Sequence, residues 1–257
     1  MQIKSINYIN FRNLKNNKLE FHPRFNLFMG KNGQGKTSIL EAIYFSITGK
    51  SFRTKHIKEL IKYDYQDAGA MINYEDRLGK KSIRIKFNGK TREYLYNKSK
   101  VKFDEFIGRV NVISFIPDDI YLILGNPSLR RTFFDYEIAQ GNEIYYKNLK
   151  DFNKILKIRN KFLKEGKSKD PLFEVYNEKF IELSVKIFSK RFEYIKKLSV
   201  LLNLNYRKLF SDKSELKIVY KSFSENIFKS EDIMKEEFIK TLNKVEKQEK
   251  YRGVSLV

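Results

Sequence analysis

Gly30-Lys31-Asn32-Gly33-Gln34-Gly35-Lys36-Thr37 has the most specific spacing of chemically capable residues in this sequence, fitting G-x-x-x-x-G-K-[ST] at every fixed position. The chemistry it spells out is phosphate binding. Glycines let a backbone curl until successive N–H groups point at one anion, and a helix starting at the lysine adds its positive dipole end. Lys36 would face the β- and γ-phosphates as a point charge, and the Thr37 hydroxyl is placed to coordinate Mg²⁺. The expected nucleotide-binding residues are thus Gly30, Lys31, Asn32, Gly33, Gln34, Gly35, Lys36, Thr37 and Ser38, with Asn32, Gly33, Gly35 and Ser38 as the backbone or side-chain contacts around the lysine and threonine. ATP with Mg²⁺ is the implied ligand. A P-loop does not by itself separate kinases, GTPases, motors and ABC-type ATPases.

Such a loop needs a strand before it and a helix after it. Phe25 to Met29 is a compact apolar run that reads as the strand, and Ile39, Leu40, Ile43 and Ile47 recur at helical spacing over 37–47, with Gly49 as the stop. The opening also predicts strands over 3–10 and 18–21. Ile83, Ile85 and Phe87 alternate with Arg84, Lys86 and Asn88, and Asn88-Gly89 reads as a tight hairpin turn, with 93–96 returning. That hairpin puts Arg84 and Lys86 on one face, followed by Lys90 and Arg92, an expected DNA contact whose alternative is a solvated strand face. A strand over 110–115 ends at Pro117.

Beyond that point the texture is helical. Asn126-Pro127-Ser128 reads as a helix start, and apolar periodicity runs through Leu149, Phe152, Leu156, Phe162 and Leu163 until Gly166 to Asp170 breaks it. Asp170-Pro171 opens a long helix whose stripe, Leu172 to Leu198, can pair with the preceding one as a hairpin. Residues 216–220 read as a short strand, 230–247 as a charged helix, and 253–257 as the start of a strand.

The chain has 257 residues and carries 52 Lys plus Arg against 31 Asp plus Glu, a net charge of +21 that attracts nucleic acid or an anionic surface. Only 13 of the basic residues are Arg in a Lys-, Asn- and Ile-rich chain, so AT-rich coding accounts for part of that charge. Having no cysteine excludes disulfides, thiolate zinc sites and cysteine nucleophiles, and His22 and His56 are the only imidazoles. Met1 to Leu14 lacks an unbroken apolar stretch, so we expect neither signal peptide nor membrane span, and a cytoplasmic protein.

Asn10-Phe11-Arg12-Asn13-Leu14, together with the continuation Thr37 to Ile43, resembles the RecF, SMC and RecN class of ABC-type ATPases. Further segments resemble the RecF family: Gly49 to Thr54, then Phe115-Ile116-Pro117-Asp118-Asp119 with Ile116 in place of serine, Gly125 to Asp135, and Leu156-Lys157-Ile158-Arg159-Asn160. The resemblance is to the family's N-terminal part. It implies an ATP-binding head that forms an ATP-dependent homodimer and binds DNA, single-stranded or as gapped duplex, alongside recombination accessory proteins. The implied role lies in replication, recombinational repair and the SOS response, with no membrane partner.

The expected fold is an α/β P-loop NTPase of ABC-head type: a sheet lobe over 1–115, a helical lobe over 116–250, and a strand beginning at 251–257 that returns to the first lobe. No segment matches the class's signature motif, its Walker B strand or a Q-loop glutamine, Gln66 and Gln140 lying elsewhere. We therefore expect a C-terminally truncated head that does not hydrolyse ATP alone and leaves apolar surface uncovered. An SMC-like head is the first alternative, but the segment 149–202 is too short for its arm. A small-molecule kinase is the second, and it would need a lid and an acceptor site.

Overall fold

The computed structural model describes residues 1–210, 215–222 and 230–256. The chain folds as two compact units, Met1–Asp119 and Ile120–Val257. Among the described residues no helix is long and apolar enough to cross a membrane.

The first unit is built on six antiparallel strands: β1 (Gln2–Ile9), β2 (Asn17–Glu20), β3 (Ala68–Asp76), β4 (Gly79–Phe87), β5 (Arg92–Tyr96) and β6 (Ser99–Val101), in the order β2-β1-β3-β4-β5-β6. Side chains alternate across a sheet, so register decides which residues share a face. Ile6 stands opposite Ile72, which faces Ile83 and then Tyr96; the next row is Tyr8, Ala70, Ile85 and Tyr94. This apolar face belongs to the same core as Ala42 and Phe45 of helix α1 (Lys36–Thr48), with Phe45 packed edge-on against Phe87 at 4.8 Å. A short helix α2 (Phe103–Phe106) adds Phe106 to that core.

Two expected strands are absent. Residues 25–29 and 110–115 form no ladder with any of the described residues, and Phe25, Leu27, Met29, Ile113 and Phe115 are between 65% and 93% exposed. A strand exists only where a neighbour accepts its hydrogen bonds, whatever its apolar pattern. The hairpin turn also differs from the expected two-residue form. Phe87 pairs with Arg92, leaving a four-residue loop in which Asn88 Oδ1 accepts from Lys90 N, Thr91 N and Thr91 Oγ1, and Gly89 alone takes positive φ, 79°.

The second unit is helical: α3 (Tyr121–Leu124), α4 (Pro127–Gly141), α5 (Glu143–Lys164), α6 (Pro171–Phe210) and α7 (Glu231–Arg252). The periodicity read as one helix after Pro127 is divided at Asn142, an extended residue whose side chain caps α5 by accepting from Tyr145 N at 2.8 Å. Phe152 of α5 stacks on Phe180 of α6 at 5.4 Å, and Phe180 meets Phe238 of α7, so the hairpin is closed by a third helix. Residues 216–220 form no strand with any of the described residues. Nor do 253–256: Gly253 ends α7 at φ 66°, and Ser255 and Leu256 hydrogen-bond to Asn160 and Glu249 side chains instead of a sheet. Val257 lies outside the described residues.

Candidate nucleotide-binding site

The glycine loop runs directly into α1. Gly30, Gly33 and Gly35 all take positive φ, at 149°, 85° and 90°, a backbone that side chains resist. Gly35 is doubly constrained, since a Cβ there would stand 2.7 Å from Leu14 Cδ2. As the N-cap of α1, Gly35 offers no side chain to the first N–H groups of the helix. Those groups lack intrahelical acceptors and carry the positive dipole end, so they suit an anion. Lys36 Nζ donates to Gly30 O at 2.7 Å and Lys31 O at 2.9 Å, which holds its ammonium inside the curl of the loop.

Asn32, Gly33, Gly35, Lys36, Thr37 and Ser38 line a cleft of about 810 Å³, while Gly30, Lys31 and Gln34 lie outside its wall. Thr37 is exposed there, whereas Ser38 is buried and its hydroxyl donates to Asn13 Oδ1 at 3.1 Å. The opposite wall comes from Glu59, Ile61, Lys62, Tyr63 and Asp64, which the sequence did not single out. That wall is carried by the β1–β2 connection: Arg12 N donates to Leu60 O and Lys62 N to Asn10 O, both at 2.8 Å.

Arg12 and Arg53 also line the cleft, and both engage Glu41 of α1, which is fully buried. Arg12 reaches both Glu41 oxygens, Nε at 3.0 Å and Nη2 at 2.8 Å; Arg53 Nη1 lies 3.3 Å and Ser51 Oγ 2.5 Å away. One carboxylate between two guanidiniums leaves net positive charge on this part of the cleft wall. Only the i, i+10 and longer spacing of these partners conceals them in the sequence.

Of the four residues expected to meet DNA, Arg84 and Lys86 do share the sheet face opposite Ile83 and Ile85. Lys86 lies 3.9 Å from Glu93, and Lys90 is exposed in the loop. Arg92, opposite Phe87 in register, donates instead to Gly49 O at the end of α1, at 2.8 Å.

Residues 5–254 match the family model described as AAA domain. A protein of Alkaliphilus oremlandii named DNA replication and repair protein RecF is 35% identical over 261 residues, covering 99% of this chain and 71% of the relative. The chain belongs to the RecF family. A RecF of Clostridium botulinum is 38% identical over 224 residues, of which the match spans 86% of this chain and 61% of that protein. A solved structure described as the recombination mediator protein RecF with ATP in the RecFOR pathway superimposes with a TM-score of 0.92 at 30% identity, covering all of this chain and 70% of that one.

The segments that resemble the RecF family make specific contacts in the structure. In Gly49 to Thr54, Ser51 and Arg53 are the partners of Glu41. In Gly125 to Asp135, a Cβ on Gly125 would collide with Tyr121 O, Asn126 caps α4, and Arg130 Nη1 donates to the carbonyls of Leu122, Ile123 and Gly125 that end α3. Asp135 pairs with Arg191 of α6 and accepts from the buried Tyr145 hydroxyl at 2.5 Å.

Proposed function

We propose that this chain binds ATP with Mg²⁺ through Gly30 to Thr37 and serves as the nucleotide-binding, DNA-binding part of a RecF-like protein of DNA replication and repair. The observation that carries this reading is the loop itself: three glycines at positive φ, an ammonium held within the curl, and a helix N-terminus opening on a cationic cleft. Lys36 would meet the β- and γ-phosphates. The exposed Thr37 hydroxyl in the first turn of α1 fits a magnesium ion carried by the nucleotide, which keeps most of its coordination for phosphate and water. Arg12 and Arg53 would stay with Glu41 and supply field. Titration calorimetry of the chain with ATP and magnesium tests the reading; no saturable heat would sink it.

Binding and turnover should separate. ABC-type hydrolysis needs an acidic residue to orient water and a signature motif from a second subunit, and residues 1–257 match neither motif. Glu41 cannot substitute, because two guanidiniums and Ser51 already occupy its oxygens. The expected result for purified chain 1–257 is ATP binding with no DNA-stimulated hydrolysis and no ATP-dependent dimer. Phosphate release that vanishes in Lys36→Ala would overturn it.

For DNA, single-stranded or gapped, we propose the face bearing Arg84 and Lys86, with Lys90 in the adjoining loop and Arg92 on the other face of the same hairpin, in a full-length protein that works with recombination accessory proteins and dimerises with ATP. The downstream role proposed is recombinational repair and SOS induction in the cytoplasm. Neutralising all four charges is expected to weaken DNA binding and flatten its salt dependence by about one unit of slope for each phosphate no longer neutralised. Because Arg92 also holds Gly49 O, Arg84→Gln with Lys86→Gln is the cleaner pair. An unchanged slope removes this face as the DNA-binding surface.

A further inference from the structure

We propose that Asn13 is a positioning residue for phosphate binding, a strut that holds the glycine loop in its receptive curl before any ligand arrives; the ligand part of this rests on the nucleotide function proposed above. Asn13 uses both ends of its amide on the loop. Its Nδ2 donates to Gly33 O at 3.0 Å, and its Oδ1 accepts from Ser38 Oγ at 3.1 Å, bonds that span 20 and 25 residues. One bond is made to the middle of the loop and the other to the first turn of α1, so the side chain bridges the two parts whose relative position shapes the cradle.

The side chain is exposed and contributes nothing to the core, which leaves these two bonds as what it does. Its backbone, by contrast, is held firmly. Phe11 and Leu14 on either side are buried, Leu14 N donates to Phe11 O at 3.0 Å, and Arg12 N is tied to Leu60 O. Leu14 also occupies the space where a Gly35 side chain would stand. A rigid turn therefore presents one amide to a loop with three glycines at positive φ, a segment whose ordering is entropically expensive. Ordering the loop in advance lowers the cost of binding without adding a contact to the ligand.

The test compares Asn13→Ala, Ser38→Ala and the double variant with the unaltered chain. In ligand-free protein, amides of residues 32–38 should exchange faster with solvent in Asn13→Ala, while those of β1, β3 and β4 keep their protection. The Kd for ATP and the Kd for inorganic triphosphate should rise together by about tenfold, the loss of roughly one hydrogen bond's worth of preorganisation. Ser38→Ala should move both readouts in the same direction by less, and the double variant should be no worse than Asn13→Ala, because one strut is removed once. Unchanged loop exchange and unchanged affinities in folded Asn13→Ala would overturn the proposal, as would a loss of protection spread over the whole sheet, which would make Asn13 a general support of the fold. The exchange measurement needs no ligand. If the unaltered chain bound neither ATP nor triphosphate, the nucleotide function and the ligand part of this proposal would fall together, and faster exchange confined to 32–38 would still support the strut.

Discussion

Lys36→Ala is expected to abolish ATP binding while leaving the chain folded. The ammonium sits 2.7 Å and 2.9 Å from the carbonyls of Gly30 and Lys31, so it is already inside the curl where phosphates would lie. A ligand that arrives there gains charge-assisted hydrogen bonds worth about 1.5–3 kcal/mol each. Losing two of them raises Kd by at least about a hundredfold, beyond what the remaining backbone N–H groups recover. The same substitution takes the ammonium away from both loop carbonyls, which loosens the loop as well. Neither effect threatens the fold: Lys36 lies outside the buried core, and alanine is the best helix former for the first turn of α1. Calorimetry for affinity and a thermal melt for integrity decide the matter. ATP affinity equal to that of the unaltered chain, in a variant with an intact melt, would remove Lys36 from the site.

Breaking the Arg159–Glu249 pair should have the largest effect on stability. Their side chains are 4% and 2% exposed, with Arg159 Nη2 at 2.6 Å from Glu249 Oε2. Further hydrogen bonds hold both groups: Arg159 Nε donates to Asn177 Oδ1 at 3.0 Å and Nη1 to Ser255 Oγ at 2.5 Å, while Glu249 Oε1 accepts from Leu256 N at 2.8 Å. The guanidinium also lies over the Phe180 ring, 4.9 Å from its centroid. Glu249→Ala leaves that cation buried and unpaired, at a cost of about 3–5 kcal/mol. This is a large share of the roughly 5–15 kcal/mol that holds a domain together. Replacing both residues, Arg159→Met with Glu249→Leu, should cost clearly less than either single loss, because no charge is then stranded. Urea denaturation followed by helical circular dichroism reads the difference. Single variants as stable as the unaltered chain would show that solvent or a new partner reaches the pair.

Several features were readable from the sequence because their physics is local. The loop from Gly30 to Thr37 is contiguous, and its glycines, lysine and threonine act on the same few ångströms of space. Helix boundaries were equally plain at Gly49, Asn126, Asp170 and Ser230, each a side chain or glycine acting within a turn of its own position. The alternation of Ile83, Ile85 and Phe87 announced a half-buried strand for the same reason.

What depended on chain brought from elsewhere was hidden. Residues 25–29 and 110–115 have strand patterns, yet a ladder needs a neighbour, and no pattern within so short a segment says whether one is present. Asn88 looked like a hairpin residue by virtue of its φ tolerance and is used as an acceptor. The far wall of the cleft, at 59–64, carries no motif; it reaches the loop through Arg12 N and Asn10 O. Glu41 looks like one acid on a helix until Arg12, Ser51 and Arg53 converge on it, and Arg159 looks like surface charge until α7 arrives. The sequence by itself determined that a glycine loop of P-loop spacing runs into a helix and where its lysine and threonine stand, since those residues are neighbours in the chain. Only the tertiary structure decided which side chains hydrogen-bond to that loop and to Glu41 beside it, because those partners lie 10 to 29 residues away and meet only when the sheet and α1 close around them.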